Sequence, residues 1–96
     1  MYFPLRNRIG PRLYTRFDGA NLRNEIEPTL EHSGEQICFD FTGVEMVSRS
    51  FADECFGKLL FKVNRQKILN SIKFENASPL IESIFSIALS DRFVHA

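Results

Sequence analysis

Two serines and two acids within seven residues carry most of the chemistry open to this chain: Ser48-Arg49-Ser50, then Asp53 and Glu54. Read as Ser50-Phe51-Ala52-Asp53, the stretch is a capping signature, with a hydroxyl at the N-cap and a carboxylate three residues on. A hydroxyl there lies beside unpaired backbone N–H groups and the positive end of a helix dipole. It is either a plain cap or a phosphate acceptor, with Ser48 as the second candidate. A phosphate would add about −1.5 to −2 charges where the dipole favours them. Asp53 and Glu54 resemble a catalytic acid pair only on paper, because adjacent helix residues point about 100° apart. First-turn acids complementing the dipole are the expected role. Cys38 and Cys55 lack metal-ligand spacing, and His32 and His95 stand alone. No metal site and no cofactor is therefore expected, and the thiols are expected to be free and buried in a reducing compartment.

The elements that position these groups follow from periodicity. Residues 1–9 are expected to form a strand, at a sheet edge because Pro4 cannot donate to a ladder, and Gly10-Pro11 closes it. Thr15-Arg16-Phe17-Asp18 is a second capping signature. A helix over 16–31 then puts Leu22, Ile26 and Leu30 on one stripe, with Pro28 expected to kink or stop it. Strand two, 35–41, alternates Ile37, Phe39 and Phe41 with Gln36, Cys38 and Asp40. Helix two should span 51–64 and bury Ala52, Cys55, Phe56, Leu59 and Val63. A third strand falls within 68–75, and Ser78-Pro79 opens a last helix that ends near residue 90. The order β-α-β-α-β-α predicts a small, mostly parallel sheet with right-handed crossovers. Strands with one apolar and one polar face put all three helices on one side and leave the other side open.

At 96 residues and 44% hydrophobic, the chain makes one small domain, 1–96. The 12 basic and 12 acidic residues balance, which argues against nucleic-acid binding, since that needs an excess of Lys and Arg. The charges run in blocks: five Arg against one Asp in 1–23, eight acids against Arg49 in 24–57, five basic groups in 58–73. Such blocks either steer a partner or mix in three dimensions as solvated faces. The chain shows no membrane-length apolar run and no signal-peptide core, so a cytoplasmic protein without a membrane role is expected.

The string ICFDFTGVEMVSRSFADE resembles the central motif of the STAS-like domains, a family of unknown function. It is similar, more distantly, to the STAS domains of anti-sigma factor antagonists. GPRLYTR and SIKFENASPLIESIF look like the family's flanking segments. In the antagonists the strand leads into an Asp-Ser-Ser/Thr-Gly motif. Its second hydroxyl is phosphorylated by a partner kinase of the GHKL ATPase type, which binds the unphosphorylated form. Ser48 falls at the Asp position, Arg49 at the first Ser, Ser50 at the acceptor and Phe51 at the Gly. Of the four positions, only the acceptor hydroxyl is kept.

The resemblance implies a non-enzymatic regulatory module, switched by serine phosphorylation, that binds a GHKL-type ATPase or kinase. The expected docking surface is the turn 46–50 with the start of helix two: Met46, Arg49, Phe51, Asp53 and Glu54. Taking Ala52 as the centre of the buried face adds Gly57 and Phe61, on a stripe opposite it with Arg65. The rival explanation for Phe61 is a second packing layer made by Phe93 and Val94. Two other functions compete. One is a small nucleotide- or anion-binding domain or enzyme using the helix-two N-terminus. The other is a homo-oligomerisation module, a homodimer in the simplest case, using the open sheet face.

Overall fold

A computed structural model describes residues 1–94, with side chains through Leu89. His95 lies outside the described residues, and Phe93 and Val94 lie outside the described side chains. The chain runs β1 (Tyr2–Pro4), α1 (Leu5–Arg8), β2 (Arg12–Leu13), α2 (Arg16–His32), β3 (Ile37–Asp40), β4 (Met46–Val47) and α3 (Arg49–Ala52). α3 continues without a break into a π-helical turn, Asp53–Gly57, and a 3₁₀ turn, Lys58–Phe61. Then follow α4 (Arg65–Ser71), β5 (Ile72–Glu75) and α5 (Pro79–Val94).

β1, β3 and β5 form one parallel sheet in the order β1-β3-β5, with Phe3 beside Phe39 and Phe39 beside Phe74. β2 and β4 form a separate parallel pair, Arg12 beside Met46 and Leu13 beside Val47. The main sheet is one-sided, as its alternation predicts. Phe3, Ile37 and Phe39 are buried, whereas Tyr2 and Lys73 are exposed and Cys38 and Asp40 are half-buried. Phenylalanine fills the covered side. Phe39 stacks on Phe56 of the π turn at 5.8 Å, and Phe74 meets Phe85 of α5 edge-on at 5.1 Å. Aromatic pairs of this kind add about 0.5–1.5 kcal/mol beyond their buried area.

Three local expectations are corrected. The first strand stops at Pro4, and Leu5–Arg8 is helical. Buried Leu5 and half-buried Ile9 sit four residues apart, and the Ile9 N–H donates to the Leu5 carbonyl at 2.8 Å. Pro28 does not end α2, which runs on to His32. Pro28 is exposed, as is Asn24 one turn before it, whose carbonyl Pro28 cannot bond. The third strand, Ile72–Glu75, falls within the expected 68–75; the residues before it form α4, which Asn64 caps by accepting from the Lys67 N–H at 2.9 Å. Helix two ends at Phe61 and is α-helical only over its first four residues.

That helix is irregular because it is surrounded. Phe51, Ala52, Glu54, Cys55, Phe56 and Gly57 are all buried, more than one face of a regular amphipathic helix allows. α2 crosses it at Gly19, where an added Cβ would stand 2.7 Å from the Phe51 carbonyl oxygen and 3.2 Å from Glu54 Cβ. Backbone therefore meets backbone at the crossing. The π turn widens the spacing so that Phe51 and Phe56, five residues apart, both reach Phe85 of α5.

Candidate functional site

Val47 is buried in β4, and it fixes where the next residues emerge. The N-cap of α3 is Ser48, not Ser50. Ser48 Oγ accepts from the Phe51 N–H at 3.0 Å and donates to the Tyr14 carbonyl at 2.7 Å. The capping signature is thus displaced by two residues, because β4 delivers Ser48 in extended geometry (φ −87°, ψ 159°) at the helix entrance. Ser50 lies one residue inside the first turn, half-buried, and no side-chain hydrogen bond of its hydroxyl is formed among the described residues. The Ser48–Tyr14 bond ties the start of α3 to the segment that opens α2. There Thr15 caps the helix by accepting from the Asp18 N–H at 3.0 Å, as its signature predicts.

A second link crosses the same gap. Arg16 Nη1 stands 3.9 Å from Asp53 Oδ2 and 3.7 Å from Glu54 Oε1. The two acids therefore do converge, on an arginine, which regular helix geometry argued against. Glu54 is only 8% exposed, so it is not on a docking surface. Arg23 donates to its Oε2 at 2.9 Å and also to its backbone carbonyl, and Lys58 Nζ lies 3.2 Å from the same oxygen. The Arg23 hydrogen bond holds the Glu54 carboxyl below the usual range, although burial pulls the other way. Phe51 and Gly57 are likewise buried, not partner-facing. Phe61 is 76% exposed, as expected, but its stripe is gone: Glu54 and Gly57 point inward, and Arg65 belongs to α4.

What remains at the surface around Ser50 is Arg49, exposed, with Met46 and Asp53 half-buried. Two residues outside the expected surface join them. Tyr14 is exposed, and Phe17, in the first turn of α2, is 74% exposed. Phe17 was detectable in the sequence as the aromatic that misses the Leu22-Ile26-Leu30 stripe. That Tyr14 lies beside α3 was not, because the Ser48–Tyr14 contact spans 34 residues.

The residues 18–82, more than half of the chain, match the family described as STAS-like domain of unknown function (DUF4325). The chain belongs to that family. No curated protein and no solved structure matches the chain. The matched segment of this STAS-like domain takes in Ser48, Ser50, Asp53 and Phe61 but leaves out β1, α1, β2 and most of α5.

A second polar feature lies on the open side of the sheet, at the carboxyl ends of β1 and β3. Asp40 accepts from the Tyr2 hydroxyl, from the Thr42 N–H (3.0 Å) and hydroxyl (2.7 Å), and from Asn76 Nδ2 (3.1 Å). These donors, Tyr2 foremost, hold its carboxyl far below the ordinary range. The adjoining cleft, about 710 Å³, is lined by Tyr2, Arg6, Asn7, Thr42 and Gly43 among others. Gly43 has φ +78°, and a Cβ there would stand 2.3 Å from Arg6 Cδ, so the arginine stem lies directly over the turn. Of the cysteines, Cys55 is buried and Cys38 half-buried on the open face, both with free thiols. Burial pushes both thiols up, Cys55 far more. Among the described residues no group of three or more His, Cys, Asp or Glu could hold a metal ion, and no helix is long and apolar enough to cross a membrane.

Proposed function

We propose that this STAS-like domain is a non-enzymatic regulatory module of the cytoplasm that docks a protein partner through the paired starts of α2 and α3. One observation carries the reading. The Ser48–Tyr14 hydrogen bond ties the segment that carries two exposed aromatics, Tyr14 and Phe17, to the start of α3, which carries Arg49 and Ser50. Aromatic anchors beside an arginine are the composition that protein interfaces favour. Between the two serines, Ser48 is occupied as a cap, while Ser50 keeps its hydroxyl for other chemistry. Phosphate on Ser50 would add charge and bulk next to Asp53 and weaken docking, with Arg49 offsetting part of the repulsion. The partner class, an ATPase or kinase of the GHKL type, follows from the resemblance to anti-sigma factor antagonists.

The test is affinity capture from the native extract, followed by intact-mass analysis of the bait. An ATPase-type protein that co-purifies, and that binds Ser50→Ala at least tenfold more tightly than Ser50→Asp, supports the switch. Equal binding by the two variants removes Ser50 from the function. Phe17→Ala should weaken capture by about tenfold; unchanged capture moves the docking surface elsewhere.

The Asp40 cleft favours a second reading, a small polar ligand held outside the carboxyl ends of parallel strands, where α/β sheets bind theirs. Amide shifts at Arg6, Thr42 and Gly43 in a metabolite-mixture titration, with none at Ser50 or Phe17, would select it.

A further inference from the structure

We infer that the free edge of β5 pairs with the β5 of a second copy of this chain, antiparallel and two-fold symmetric about Phe74. The inference is independent of the α2–α3 docking surface. Among the described residues β5 pairs with β3 alone, so one of its edges is open. The Phe41 N–H donates to the Glu75 carbonyl at 2.9 Å, which turns the backbone groups of Glu75, and of Lys73 two residues before it, toward β3. Alternation along the strand then turns the N–H and C=O of Ile72 and Phe74 outward, onto the open edge. An open row of strand donors and acceptors is a template for a further strand.

The side chains select both the occupant and the register. With Phe74 on the two-fold axis, the two Phe74 residues exchange both backbone hydrogen bonds. Lys73 of each copy then faces Glu75 of the other, on the open side of the sheet. Both side chains are solvent-accessible, and they already pair at 3.6 Å within one strand. Moving the axis to Lys73 or to Glu75 sets like charges opposite each other, which is unfavourable. A one-residue slip would put each charge on the apolar face. Of the axes through Lys73, Phe74 and Glu75, only the one through Phe74 is therefore favourable. On the helix side, an apolar groove of about 210 Å³ runs along β5 between α4 and α5, lined by Leu69, Ile72, Phe74 and Phe85 among others. The second strand would bring its own Ile72 and Phe74 to the mouth of that groove. With strands of four residues, the contact is small and the dimer weak, with a Kd between about 1 μM and 1 mM.

Sedimentation equilibrium on the full chain over that concentration range reads the outcome. The mass should rise with concentration from 11.1 kDa toward twice that value. Lys73→Glu and Glu75→Lys should each weaken association about tenfold, since each turns two attractive cross-strand pairs repulsive. The double variant K73E/E75K restores opposite charges across the axis and should regain wild-type association. Amide exchange at Phe74 should slow as the dimer forms. A wild-type chain that stays monomeric up to about 1 mM overturns the inference, as does a double variant no better than the singles. Slow exchange at Phe74 in the dilute monomer would mean that the chain's own segments already cover the edge, and would overturn it equally.

Discussion

Ser48 and Ser50 sit two residues apart, and the physics gives them opposite sensitivities. Ser48 caps α3 and reaches across to the Tyr14 carbonyl. Ser48→Ala removes both hydrogen bonds and should lower unfolding stability by about 1–2 kcal/mol in urea denaturation. Ser50→Ala should stay within about 0.5 kcal/mol of wild type. Glu54 supplies a pH signature. Its folded-state pKa lies below the unfolded value because Arg23 bonds the ionised form. Its contribution is therefore present above the unfolded pKa, about 4.3, and is lost as pH falls through the folded value. Glu54→Gln should cost about 2–3 kcal/mol at pH 7, leaving Arg23 without its carboxylate. That gap should narrow as denaturation midpoints are followed to lower pH, because the wild type loses its charge and the glutamine variant has none to lose. The serine–acid cluster was legible as a helix start from residue types alone. Which serine is the cap was not, because the choice depends on where β4 releases the chain.

At the scale of elements, the crossing of α2 over the π turn is the tightest joint. Gly19→Ala drives a Cβ against the Phe51 carbonyl, a backbone atom that cannot swing aside. The cost should be about 1–3 kcal/mol, read as a drop in urea midpoint with unchanged slope. Elements with a strong period were readable: α2 with its Leu22-Ile26-Leu30 stripe and β3 with its alternation both fall where expected. β1 was misjudged at its end and α4 went unread, because Leu5 and Ile68 suit either a strand or a helix and tertiary packing decided. The π turn had no usable signal at all. A single extra residue in a helical turn changes which side chains face inward, and that is why Glu54 and Gly57, expected at the surface, are interior.

For the molecule as a whole, the charge blocks cancel across space. Arg8 pairs with Glu25, Arg12 with Glu45 and Lys62 with Glu27, so the surface mixes its signs as the simpler reading held. Such exposed pairs contribute little, and stability rests on the phenylalanine cluster. Phe39 is fully buried and touches the rings of Phe3, Phe41, Phe56 and Phe74. Phe39→Ala should cost about 3–5 kcal/mol. For a domain of this size that is a large share of a total near 5–10 kcal/mol, so thermal melting should show a Tm lowered by roughly 12–40 °C.

The one-sided sheet also equips the chain with an internal clock for opening. Cys38 lies on its uncovered side, half-accessible, while Cys55 is sealed between the helices with its thiolate strongly disfavoured. An alkylating reagent should therefore add one label quickly and the second only when the core comes apart. The rate of the second mass step measures how often the native molecule opens, with no engineered reporter residue. Gly19→Ala should hasten that step by about tenfold or more while leaving the first unchanged.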